Sequence, residues 1–173
     1  MNRTKFKEAI LYVSQKCESD VTYGATKLNN VLFAADMMAY FSRGRAITGV
    51  DYMKLQMGPA PRQLVPVRDE MVLQGELEIK LVPCGEYVQK RPVARREPDL
   101  SVFKADDLAY LDEAIKGLRG HYASVVSEWS HGFIGWRIAD EGENIPYEAC
   151  LIDPGALTED DLAWGGRVAD GLA

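Results

Sequence analysis

The residues best suited to chemistry are two histidines and the serines beside one of them. His131 directly follows Ser130, and Ser127 lies one helical turn before it. A serine and a histidine can act as nucleophile and base, but neighbours in sequence rarely have the geometry of a catalytic triad. We therefore interpret His131 as a residue that caps or bonds the end of a helix. His121 and His131 are not four residues apart, so the helical HExxH zinc pattern is missing.

Other sequence patterns for catalysis or cofactor binding are also missing. The chain contains no G-x-S-x-G, no Walker A and no G-x-G-x-x-G sequence. Cys17, Cys84 and Cys150 are far apart, so they form neither a CxxC dithiol nor a zinc ribbon. The sequence therefore predicts no catalytic residue, no metal, no cofactor and no enzymatic activity.

Asp36 is the one acid in the middle of an apolar helical segment. We favour the interpretation that it pairs with Arg or Lys, or bonds a neighbouring helix end. The alternative is a buried acid with a shifted pKa. On that alternative the chain is a small hydrolase or ligand-binding protein, in which Asp36, His131 and Trp136 share one concave pocket.

The clustered basic residues are Lys90, Arg91, Arg95 and Arg96. A nucleic-acid or phosphate patch is one interpretation, but no aromatic residues alternate with these charges to stack on bases. We favour a solvated hairpin edge, of the kind that Lys and Pro commonly protect. The cluster is also a candidate partner-binding surface, because an acidic protein surface would suit it.

Composition is that of a soluble globular protein. The chain has 173 residues, of which 47% are hydrophobic and 27% charged, enough for one domain with a substantial core. A formal charge of −6 disfavours a nucleic-acid partner, which needs clustered Lys and Arg. No signal-peptide pattern is present, and no apolar run approaches the ~20 residues that span a bilayer, so no membrane partner is expected. Three unpaired thiols then favour the cytoplasm.

The hydrophobic pattern predicts the elements that would position these residues. Apolar residues with a 3.6-residue period indicate helices over about 5–17, 25–42, 65–74, 104–118 and 122–129. Gly44 suits the left-handed position after the second helix. Thr48 is a plausible N-cap for a further two-turn helix, which the Gly-Pro-Ala-Pro sequence at 58–61 would end. Residues 130–137 are predicted to form a loop rich in glycine and aromatic residues.

Strand signals are concentrated in one region. Alternating polar and apolar residues from Leu77, a turn signal and a return strand predict a hairpin insert over about 76–96. Residues 145–147 form an extended segment that could add to this hairpin. A capping pattern at Thr158 predicts a C-terminal helix over about 158–170. We expect a single domain, 1–173, of mainly α (α+β) class: a compact helical domain of about six helices with a small antiparallel β-hairpin or sheet.

The order of these segments resembles the Panacea domain of the SocA-like antitoxin family. The positions that carry the resemblance extend over most of the chain. They are Lys27, Leu28, Asp36, Gly44, Tyr52, Gly58, Pro59, Ser130, His131 and Trp136. One position departs from the family's pattern, in which a second lysine often occurs where this chain has Asn30.

The resemblance implies a mostly helical antitoxin that binds a cognate toxin protein directly, as part of a toxin-antitoxin system. An alternative that it also implies is an adaptor that delivers the toxin to an ATP-dependent protease. Phage and prophage settings are typical of the family. On either reading the partner is a protein, and the function is binding rather than catalysis.

Overall fold

The chain forms a helical body with two small antiparallel sheets. A computed structural model describes residues 1–84 and 87–152. Within these residues the α-helices are α1 (Arg3–Lys16), α2 (Ala25–Arg43), α3 (Leu64–Leu73), α4 (Ala105–Leu118), α5 (Ala123–His131) and α6 (Ile134–Ile138). The strands are β1 (Tyr52–Leu55), β2 (Gly58–Pro61), β3 (Leu77–Cys84), β4 (Tyr87–Ala94) and β5 (Asn144–Ile145). The predicted α+β class is confirmed.

Helix α2 lies at the centre of the fold. Its side chains are apolar on most sides, and Leu28, Val31 and Phe33 are almost fully buried. The helix packs against α1, α4, α5 and β2. It ends where Gly44 adopts a left-handed conformation with a φ of 67°, which glycine does without a steric penalty. This end agrees with the sequence prediction.

The segment after Thr48 is a strand pair, so the predicted two-turn helix is wrong. Strands β1 and β2 pair antiparallel, with Tyr52 opposite Pro61. Because proline has no amide to donate to a sheet interior, β2 is an edge strand in the order β2-β1-β5. Thr48 caps no helix because its hydroxyl bonds Asp36. The Gly-Pro sequence therefore begins a strand rather than ending a helix.

The two sheets are built from different parts of the chain. The predicted hairpin is present, since β3 and β4 pair antiparallel over their full length. Strand β5 instead pairs with β1, with Ile145 opposite Tyr52. The expectation that residues 145–147 add to the β3–β4 hairpin is therefore wrong. The hydroxyl of Tyr147 donates to the carbonyl of Val50 at 2.8 Å, which holds this extended segment beside β1.

The region from 130 to 137 is mostly helical, so the predicted loop is wrong over most of its length. Helix α5 runs through His131, and α6 begins at Ile134 after two non-helical residues. Phe133 packs edge-to-face on Phe33, with ring centroids 5.0 Å apart, and this contact fixes the turn between the helices. The helix predicted over about 158–170 lies outside the described residues.

One hydrophobic core joins the described elements. Fully or nearly fully buried side chains come from most of the described elements, among them Phe6, Ile10, Leu111, Val126 and Ile145. The first helix and the last strand thus contribute to the same core. Whether residues beyond 152 belong to this domain stays a prediction.

Candidate functional site

Asp36 occupies an enclosed position beneath the segment that follows α2. One carboxylate oxygen accepts hydrogen bonds from the backbone amides of Ile47 and Thr48, at 2.8 and 2.9 Å. The other oxygen accepts from the hydroxyls of Thr48 and Tyr52, the latter at 2.9 Å. It also accepts at 3.3 Å from the hydroxyl of Tyr147, which shares its one proton with the nearer carbonyl of Val50. The donors come from three parts of the chain, so Asp36 ties the end of α2, β1 and the segment after β5 together.

The partners of Asp36 in the described part of the chain are amides and hydroxyls, so the expected pairing with Arg or Lys is wrong. Burial raises the pKa of this carboxyl, and the hydrogen bonds from Thr48 and Tyr52 oppose that increase. Burial and the nearby Asp36 also raise the pKa of Tyr52 and of Tyr147. With 1% of its surface exposed, Asp36 is a buried structural acid with a shifted pKa.

Lys27 is a second buried charge, at the start of α2. Its ammonium lies 2.8 Å from the Asp20 carboxylate and also donates to Thr22, and the ion pair is almost inaccessible to solvent. Burial alone would raise the pKa of Asp20, but hydrogen bonds from Lys27 and Thr22 hold that pKa well below its usual range. Asp20 therefore stays charged, and the pair fixes the turn before α2 onto the helix.

Gly58 lies where β2, α2 and α5 meet. A Cβ atom at this position would lie 2.6 Å from the Ser130 hydroxyl and 3.2 Å from the Asn30 side-chain oxygen, and φ is +105°. Ser130 donates to the carbonyl of Ser127, and Asn30 donates to that of Thr26. Both the backbone and the packing therefore require glycine. Asn30 is fully buried, so this position is a packing residue rather than an exposed contact.

His131 stacks on Trp136 at the end of α5. The two ring centroids are 3.8 Å apart with an interplanar angle of 15°. The ammonium of Lys54 lies 4.3 Å from the Trp136 ring centroid, and the indole N–H donates to the carbonyl of Leu55. In the described part of the chain, Nε2 of His131 has no hydrogen-bond partner. The structure therefore joins His131 to Trp136 but not to Asp36, and the pocket of the hydrolase alternative is not formed by these residues.

Two further family positions contribute to packing. Leu28, in the first turn of α2, has its side chain buried in the core. Pro59 lies opposite Lys54 in the β1–β2 pair, on the strand whose outer edge has no partner strand within the described residues. Together with Gly58 and Ser130, these positions define how the first sheet packs on α2 and α5.

Arg96 binds the β3–β4 hairpin to the helical body. Its guanidinium binds both carboxylate oxygens of Glu8 on α1, at 2.8 and 2.7 Å, and also lies 2.9 Å from Glu76. Burial alone would raise the pKa of Glu76, but hydrogen bonds from Lys7 and Arg96 hold that pKa below its usual value. Arg96 is therefore held in place at the base of the hairpin by internal contacts.

The other members of the basic cluster have different surroundings. Arg91 donates to the backbone carbonyl of Val21 at 2.7 Å, which holds the hairpin against the chain before α2. Arg95 pairs with Glu78 across the hairpin surface. Lys90 is exposed and lines a cleft. The role of this cluster in partner binding stays a prediction, and Lys90 is the member best placed for it.

Several concave surfaces of the described residues lie outside the buried sites, among them one of about 400 Å³ lined by Gln15, Glu18 and residues 94–97. The hairpin cleft, of about 530 Å³, is formed by residues 21, 22 and 24–27, Met57, residues 84 and 87–90, and residues 122 and 123. The helical groove, of about 380 Å³, lies between α2, α4 and α5 and includes Met38, Leu118 and Trp129. Among residues 1–84 and 87–152, no three His, Cys, Asp or Glu side chains are grouped so that they could hold a metal ion.

Several residues of these sites were not predicted from the sequence. Asp20, with Thr22 two residues later, has the spacing of an Asx turn, so a local signal was available. Tyr147 is 111 residues from Asp36, and no local pattern connects the two. The hairpin cleft likewise combines four separate segments.

Comparison with protein families bears out the resemblance. The model for "Antitoxin SocA-like, Panacea domain" matches residues 28–137. No curated protein and no solved structure shows significant similarity to the chain. None of the helices in the described part of the chain combines the length and the apolar character needed to cross a membrane. The matched segment covers more than half of the sequence, and the chain therefore belongs to the SocA-like antitoxin family with a Panacea domain.

Proposed function

We propose that this protein is an antitoxin that neutralises a protein toxin by binding it directly and non-covalently. The observation that carries the proposal is membership of the antitoxin family, with a match that runs from Leu28 in α2 to Arg137 in α6 and includes both strands of the hairpin. The proposed partner is a cognate toxin, and the proposed mechanism is occlusion of the toxin's active surface.

The surface of the described chain supports a binding role. Large apolar side chains are exposed at Val21, Tyr87 and Tyr122. Contiguous exposed apolar surface commonly marks a site of protein–protein interaction. The proposal requires no covalent step, and the polar family positions Asp36, Lys27 and Ser130 all have structural contacts that explain them.

Co-expression tests the proposal. Products of the genes next to this one are expressed alone and together with this chain, and growth is measured. We expect one product to be toxic alone, to be neutralised by this chain and to purify with it as a stoichiometric complex. If no neighbouring product is toxic, or a toxic one is not neutralised, the proposal is wrong.

The half-life of the toxin separates occlusion from delivery to an ATP-dependent protease. Occlusion leaves the half-life unchanged or longer when this chain is present. Delivery shortens it, and the shortening depends on the protease. Growth rescue with an unchanged half-life would exclude the adaptor alternative.

A further inference from the structure

The hairpin cleft is the concave surface that combines the most features of a docking site. Its volume of about 530 Å³ lies within the range of ~300–1,000 Å³ that is usual for binding pockets. It opens between the end of the β3–β4 hairpin, the chain before α2 and the start of α5. Four segments distant in sequence therefore meet around one opening.

The rim of the hairpin cleft is apolar and exposed. Val21, Tyr122 and Tyr87 have 79%, 66% and 60% of their surface accessible, and Met57 and Val88 are also more than half exposed. Leaving five large apolar side chains in water around one opening is unfavourable unless a partner covers them. Tyrosine and methionine are also enriched at the centres of protein interfaces.

The charged side chains that line the hairpin cleft among the described residues are lysines. No residue that lines it in the described part of the chain is Asp or Glu, although the chain has 26 acidic residues. Two lysines do line it, Lys27 at the base and Lys90 at the opening. Because Lys27 is paired with Asp20, Lys90 supplies the exposed positive charge.

Two helices begin at the hairpin cleft. Helix α2 follows Gly24, and α5 follows Tyr122, and neither N-cap has a side chain that bonds the first amides of its helix. Uncapped amides and the helix dipole favour a negative group at such a position. The dipoles of both helices therefore add to the positive charge of Lys90 at an apolar opening.

We propose that the hairpin cleft is the toxin-docking site, and that it binds an extended toxin segment with a carboxylate beside a large apolar side chain. The apolar side chain would be covered by Val21, Tyr87 and Tyr122, and the carboxylate would face the starts of α2 and α5. This inference rests on the proposed antitoxin function for the identity of the partner. The chemistry of the segment follows from the cleft itself.

A peptide titration tests the cleft without the toxin. The ¹⁵N-labelled full chain is titrated with acetyl-Glu-Phe-Asp-Leu-Glu-amide and with acetyl-Lys-Phe-Lys-Leu-Lys-amide. We expect the acidic peptide to shift the amide signals of Thr26, Ala123 and Ser124, and the basic peptide to leave them unchanged. Lys90→Glu should weaken acidic-peptide binding at least ten-fold, whereas Lys116→Glu, the same exchange at an exposed site on α4, should not.

Equal shifts with both peptides, or none with either, would show that the cleft does not select an acidic apolar segment. A dimer in light scattering that Val21→Glu abolishes would identify a second copy of this chain as the occupant instead. Either result overturns the proposal.

The toxin that this chain neutralises is the second probe. We expect Val21→Glu and Lys90→Glu to weaken toxin affinity at least ten-fold in calorimetry. The matched controls Leu73→Glu, at a position that is 89% exposed outside the cleft, and Lys116→Glu should change it less than three-fold. If the cleft variants still bind and neutralise normally, the docking site is wrong while the antitoxin function stands. If wild type neutralises no toxin, the function fails, and the peptide titration alone decides whether the cleft binds acidic segments.

Discussion

The carboxyl of Asp36 shows how a buried acid can hold a fold together without a cation. Five hydrogen bonds reach it from Ile47, Thr48, Tyr52 and Tyr147. Its pKa is nevertheless raised, because burial removes more hydration from the ionised form than these donors replace. Protonation of Asp36 is therefore linked to folding.

We expect Asp36→Asn to change the pH dependence of the unfolding free energy. The pKa of Asp36 is higher in the folded protein than in the unfolded chain, where it is near ~3.9. Its stabilising contribution is fully present below about pH 4 and is lost as the pH rises through the folded-state pKa. The stability of wild type relative to Asp36→Asn should therefore fall as the pH rises, which urea denaturation at several pH values measures.

Asp20→Asn is the matched control, because the pKa of Asp20 is shifted in the opposite direction. The contribution of Asp20 is present above about pH 4 and is lost as the pH falls. The two variants should therefore give pH profiles of opposite slope. A pH-independent difference between wild type and Asp36→Asn would contradict the raised pKa.

Gly58→Ala should destabilise the protein by roughly 2–4 kcal/mol, because it combines a strained backbone with a clash. The new methyl group would lie 2.6 Å from the Ser130 hydroxyl at a φ of +105°. Gly117→Ala is the matched control, since nothing lies within 4 Å of its added Cβ atom in the interior of α4. Gly117→Ala should stabilise the protein by about 0.5–1 kcal/mol. Urea denaturation compares both, and a Gly58→Ala variant as stable as wild type would contradict the packing at this position.

Residue roles were predictable only where a local rule applied. The left-handed glycine after α2 could be predicted because a helix end requires it at that place. The partners of Asp36 could not, because they lie 11 to 111 residues away. The stacking of His131 on Trp136 likewise depends on how α6 turns back after α5.

At the level of elements, the hydrophobic periodicity of the sequence predicted the long helices but not the first sheet. Helices α1, α2 and α4 each bury an apolar face with the expected spacing. Strands β1 and β2 have four residues each, too few for an alternating pattern to be distinguished from a helix start. Strand β5 has only two residues, and its strand partner in the described part of the chain is β1.

The attachment of the hairpin to α1 depends on Arg96. We expect Arg96→Lys to destabilise the protein by about 1–3 kcal/mol, because lysine cannot reproduce the two-oxygen contact with Glu8. Arg95→Lys is the matched control, because its partner Glu78 is on the exposed face of the hairpin. It should change stability by less than about 0.5 kcal/mol. Equal effects of the two substitutions on the urea midpoint would contradict this role of Arg96.

On the scale of the whole molecule, the folded unit is larger than the segment that identifies the family. The family match covers residues 28–137, whereas the fully buried Phe6, Ile10 and Val13 lie before it and the buried Ile145 lies after it. For α1, the apolar face in the sequence indicated that the helix belongs to the core. For β5 the sequence indicated an extended segment at 145–147 but not its pairing with β1.

A fragment of residues 28–137 should therefore lack a cooperative unfolding transition. Removing α1 exposes the core side of α2, and removing β5 leaves β1 unpaired on one edge. The full chain should unfold in one transition, with the same midpoint by far-UV and near-UV circular dichroism. A fragment that unfolds cooperatively near the midpoint of the full chain would contradict the shared core.

The pairing of β1 with β5 can form only late in the synthesis of the chain. Strand β5 is made roughly 90 residues after β1, which at ~5–20 residues per second takes about 5–18 s. During those seconds β1 has an open edge and Asp36 lacks its bond from Tyr147. The β1–β2 turn that carries Met57 into the hairpin cleft belongs to this unfinished sheet. In a nascent chain, the sheet that positions Met57 at the hairpin cleft is therefore complete only after β5 has been synthesised.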